Sequence, residues 1–80
     1  MRGQSKSHID LYIIDRVKEL RTNSKYSQAV LAVKLGVSDA FIGQIENPKN
    51  TSKYSMEQLN KLAQIFNCSP RDFLPEKPII

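Results

Sequence analysis

Side chains able to attack, shuttle protons or hold a metal are few and scattered. His8 is the only histidine and Cys68 the only cysteine, and neither stands near a second such group. No zinc-ligand spacing, glycine-rich phosphate loop or nucleophile elbow is present. The sequence therefore argues against an enzyme, a metal site and a cofactor. Cys68 reads as a small apolar filler before the last helix. The useful pattern lies elsewhere. Asp39, Ala40, Gly43, Gln44 and Asn47 fall on one side of a helix, and Phe41, Ile42 and Ile45 share the other. The first side is small or polar and lacks bulky aliphatics. Such a side suits a helix that enters a groove about 12 Å wide, and it equally describes an ordinary solvated face. A mid-helix glycine costs about 1 kcal/mol relative to alanine, which a close approach at Gly43 would justify. Isolated glycines are also simply tolerated.

These residues need a scaffold. Ser7 and Asp10 form a capping-box pattern, and Ile9, Ile13, Val17 and Leu20 draw an apolar stripe, so the spacing predicts a first helix over 9–22. Ser27 caps a second over Gln28–Leu35, with Val30, Leu31 and Leu35 as its apolar face. Gly36 follows where a helix commonly turns left-handed. Ser38 caps a third over Asp39–Glu46, which Asn47-Pro48 stops. Two short helices joined by Gly36-Val37-Ser38 have the spacing of a helix-turn-helix, with Ala32 small enough for a close crossing. After a loop over 47–54, Ser55 and Gln58 start a fourth helix carrying Met56, Leu59, Leu62, Ala63 and Phe66. Ser69-Pro70 opens a short fifth through Phe73 and Leu74, and Pro75 and Pro78 end regular structure. The expected fold is all-α, a compact five-helix domain over 9–75, with a flexible arm at 1–8 and a tail at 76–80.

Length and charge agree with a single small domain. The chain has 80 residues, 40% of them hydrophobic, and a net charge of +4 with a pI near 9.4. Three of those net charges lie in residues 1–26. The excess permits an anionic partner. The longest apolar run, Ala29–Val33, is far below the roughly 18 residues of a membrane span, and one cysteine makes no internal disulfide.

Taken in order, Ser27-Gln28, Leu31-Ala32, Lys34 to Ser38, Ile42 and Gln44 to Asn47 resemble the phage repressor and Cro family of helix-turn-helix domains. The likeness continues upstream through Arg16-Val17-Lys18 and Arg21, and downstream through Leu59, Leu62-Ala63, Phe66 and Phe73-Leu74. It implies a lambda-repressor-like fold and a double-stranded DNA-binding transcription regulator, usually dimeric.

Carried over by position, the resemblance implies that Asp39, Ala40, Gly43 and Gln44 meet base edges. Gln44 would pair with an adenine, Ala40 would touch a thymine methyl, and Asp39 would accept from a cytosine amino group or serve as a helix-start acid. Gln28 would touch a phosphate at the start of the second helix, where free N–H groups attract anions, unless it is a plain first-turn residue. Asn47, Lys49 and Lys53 would run along the backbone in a loop that Pro48 makes longer than usual, or else form a solvated polar loop. Arg21 and Glu46 would form a buried pair locking the recognition helix to the scaffold, the alternative being two unrelated surface charges.

The resulting expectation is a repressor working as a homodimer on a near-palindromic operator, cytoplasmic in a bacterium or phage. Helix five and the tail, with Phe73, Leu74, Ile79 and Ile80, are the expected dimer surface, unless Phe73 and Leu74 simply close the core and the tail is disordered. A module that holds a protein partner, such as an antitoxin or a transcription bridging factor, is the alternative.

Overall fold

Serine opens every helix among the described residues. In the structure, a computed structural model describing residues 6–79, the hydroxyls of Ser7, Ser27, Ser38, Ser55 and Ser69 accept the N–H groups of Asp10, Val30, Phe41, Gln58 and Arg71. Each such cap is worth about 1 kcal/mol and fixes where a short helix begins. The α-helices are α1 (His8–Asn23), α2 (Gln28–Leu35), α3 (Asp39–Glu46) and α4 (Met56–Phe66). No strand occurs among the described residues.

The fifth expected helix is instead a single 3-10 turn, Pro70–Phe73, so the domain has four α-helices rather than five. Leu74 is already extended, and Pro75 behind it disfavours the helical region there. The turn still serves the core. Phe73 is fully buried, while Leu74 is exposed.

Val17 of α1, Leu31 of α2, Ile42 and Ile45 of α3, Leu62 of α4 and Phe73 form the fully buried centre. Full burial of an aliphatic side chain is worth about 1.5–3 kcal/mol, and this centre ties all the helices together. Gly36 has φ 83, and its N–H and that of Val37 donate to the Ala32 carbonyl at 2.8 and 3.0 Å. This left-handed closure ends α2 and swings the chain into α3 within three residues.

Some faces are rotated from the expected ones. Ile9 is 41% exposed, and the buried stripe of α1 runs through Ile14, Val17 and Arg21. A guanidinium holds one of the inward positions, so hydropathy alone misplaces the stripe. Val30 and Met56 are exposed, whereas Ala32 and the loop residue Tyr54 are buried. Cys68 is half-buried against the core.

Candidate nucleic-acid interface

The inner side of α3 is held by packing and charge. Ile42 and Ile45 are fully buried, and Arg21 grips Glu46 with two parallel bonds, Nε to Oε2 at 2.8 Å and Nη2 to Oε1 at 2.9 Å. The side chains are only 10% and 4% exposed. Arg21 Nη1 also donates to the Tyr26 carbonyl at 2.8 Å, so the fork is used on three sides. Gln28 adds its Nε2 to Glu46 Oε1 at 3.0 Å. Glu46 thus joins α1, α2 and α3.

The outer side is open. Asp39, Ala40 and Gln44 are exposed and Gly43 is half-buried. Asp39 Oδ1 lies 3.1 Å from the Ala40 N–H, at the positive end of the helix. A Cβ on Gly43 would meet Gln28 Oε1 at 3.4 Å, an ordinary contact with the end of a side chain, so packing within the protein does not demand glycine here.

The Gln28 amide nitrogen faces inward, onto Glu46. At the start of α2, helix geometry leaves the N–H groups of Gln28 and Ala29 without an intrahelical partner, and these are the donors an anion would find. Asn47 Oδ1 accepts the Lys49 N–H at 3.0 Å, which bends the chain just beyond α3 and leaves the Lys49 side chain exposed. Lys53 Nζ lies 3.1 Å from Asp10 Oδ2, so its charge is partly shared with the start of α1. Burial acts to raise the Asp10 carboxyl, but bonds from the Ser7 amide, the Lys53 ammonium and the Ser7 hydroxyl outweigh it and hold it below the usual range.

Two buried polar groups near α3 escape a sequence reading. Lys6 lies within the segment expected as an arm, yet it is 8% exposed and donates to the Ile45 and Asn47 carbonyls. Residues 1–5 lie outside the described residues. Burial draws the Lys6 ammonium below the ordinary lysine value, with Asp10 opposing. Tyr54 has a buried hydroxyl with no hydrogen-bond partner among the described residues. Burial and the Glu46 charge push its pKa well above the tyrosine range, against Arg21, so the hydroxyl keeps its proton. One available sign of Lys6 was that α3 has no basic residue in its own last turn; for Tyr54 it was a lone aromatic in a polar loop.

Residues 17–73 match the family model described as helix-turn-helix. The chain belongs to that family. This helix-turn-helix domain is similar in structure to the restriction-modification controller protein C.AhdI from Aeromonas hydrophila, with 28% identity and a TM-score of 0.68 over 80% of this chain and 94% of that one. It is also similar to an HTH_3 family transcriptional regulator from Vibrio cholerae, with 31% identity and a TM-score of 0.68 over 81% of this chain and 35% of that one. Hydroxypropylphosphonic acid epoxidase from S. wedmorenis shares the fold at 21% identity and a TM-score of 0.73, over 88% of this chain and 36% of that one. The chain therefore spans about a third of the latter two proteins. No curated protein matches it. Among the described residues no group of three or more acidic, histidine or cysteine side chains could hold a metal, and no helix is long and apolar enough to cross a membrane.

Proposed function

We propose that the helix-turn-helix domain is a sequence-specific, double-stranded DNA-binding transcription regulator that acts as a homodimeric repressor in the cytoplasm of a bacterium or phage. The observation that carries this reading is α3 itself: an exposed, slender, polar side at Asp39, Ala40 and Gln44, backed by a side locked through Ile42, Ile45 and Glu46. A helix read by a duplex must be open outward and rigid inward. The similarity to a controller protein and to a transcriptional regulator supports the same role. In this reading Asp39, Ala40, Gly43 and Gln44 face base edges, and Asn47, Lys49, Lys53 and the α2 start at Gln28 follow the backbone.

One protomer offers one recognition helix and a net charge of only +4. The backbone of one copy extends 34 × 29 × 21 Å, a size comparable with the spacing of about 34 Å between half-sites one helical turn apart. A DNA regulator enriches one motif from a random duplex pool, and its affinity falls with salt by a slope of about −0.9 per phosphate neutralised. No enriched motif together with a flat salt response would overturn the reading. The competing role, a protein-interaction module, is favoured by the apolar patch of Val30 and Val33 on α2, where Val33 is 81% exposed. That role predicts the flat response.

A further inference from the structure

α3 ends in an unusual way for a helix that must be rigid. Its C-cap Asn47 is extended, at φ −84 and ψ 114, so no left-handed turn folds back over its last carbonyls as Gly36 does for α2. The last turn holds no base, and its acid, Glu46, is committed to Arg21 and Gln28. The Asn47 N–H donates to the Gly43 and Gln44 carbonyls at 3.1 and 3.2 Å, which leaves the Ile45 carbonyl, at the negative end of the helix, to find another donor.

Lys6 fills that vacancy. Its Nζ donates to the Ile45 carbonyl at 2.7 Å and to the Asn47 carbonyl at 2.6 Å, across 39 and 41 residues of sequence. One of these is the last buried core position of α3, the other the first residue of the following loop, whose carbonyl also takes the Asn50 N–H at 3.0 Å. Lys6 stands just before α1 and Arg21 stands in its last turn, so α1 holds the end of α3 from both of its own ends. Lys6 is 8% exposed, and its ammonium is committed to these two carbonyls.

We infer that Lys6 is a positioning residue for recognition: without touching DNA, it fixes where α3 ends and the direction in which the loop bearing Lys49 departs. The inference rests on the DNA-binding reading above. It assigns to the segment before α1 a part in base reading, carried through two backbone carbonyls.

The test uses the full chain with Lys6→Met, which keeps the apolar stem and removes the charge. In the free protein, hydrogen exchange at the Asn47 and Asn50 amides should quicken about tenfold, while Leu62 and Ala63 in α4 stay slow. With DNA, affinity for the selected site should fall about tenfold and affinity for random duplex should change little, with the salt slope unaltered. A loss shared equally by both duplexes would make Lys6 merely structural, and a slope shallower by about 0.9 per subunit would make it a phosphate ligand; either overturns the inference. Unchanged exchange at Asn47 and Asn50 also overturns it. Should Lys6→Met not fold, Lys6→Gln, a shorter neutral donor, carries the same measurements with the same outcomes. Failure of the DNA reading looks different, because the unaltered chain would then prefer no duplex.

Discussion

Gln44 and Glu46 are two residues apart on α3 and have opposite duties. Gln44 is exposed and bears no weight in the fold. Gln44→Ala should leave thermal stability unchanged, cost about 1–3 kcal/mol on the best site and relax one base position, read by repeating selection from a random pool. An identical motif from the variant would remove Gln44 from base readout. Glu46 is the reverse case. Its side chain is 4% exposed and takes bonds from Arg21 and Gln28. Arg21→Met should destabilise by about 3–5 kcal/mol in denaturant unfolding, because it strands a buried carboxylate. Adding Glu46→Leu should recover much of that loss, since an apolar pair does not carry the desolvation penalty. If the double variant were no more stable than the single one, the damage would lie in packing rather than in the stranded charge.

At the scale of elements, the turn between α2 and α3 turns on one backbone angle. Gly36 sits at φ 83, and a Cβ there would meet only the Lys61 ammonium at 3.5 Å, an ordinary contact. Gly36→Ala should therefore cost about 1–2 kcal/mol through left-handed strain alone, with no steric increment, measurable as a lowered Tm. A much larger loss would mean that α3 had shifted on α2. The same turn shows why α2 and α3 were legible in sequence at both ends: serine caps, a glycine stop and an Asn-Pro stop are local chemistry. α1 was less legible because Arg21, a charge, occupies an inward position and turns Ile9 outward. The bonds from Lys6 to Ile45 and from Gln28 to Glu46 were not legible, because each joins residues far apart in sequence, and Tyr54 left only the faint sign of a lone aromatic in a polar loop. The fifth helix was overread: the Ser69-Pro70 start is real, but Pro75 leaves it room for a single turn.

At the scale of the whole molecule, affinity and pairing come together. A charge of +4 neutralises few phosphates, so a second copy matters for tight binding. Of the residues expected to pair at the C-terminal end, Phe73 is instead buried in the core, Leu74 and Ile79 are exposed, and Ile80 lies outside the described residues. Sedimentation of the full chain should show a dimer, and a chain ending at Pro75 a monomer; monomers in both would remove this surface as the contact. Finally, the open side of α3 has a consequence for how such a protein diverges. Ala40 and Gln44 make no side-chain contact that the core depends on, and Asp39 holds only the exposed start of its own helix, so these positions are free to drift while Ile42, Ile45 and Glu46 stay put. A library randomised at those outward positions should yield many folded proteins with new sequence tastes: the architecture is a handle, and the lettering on it is replaceable.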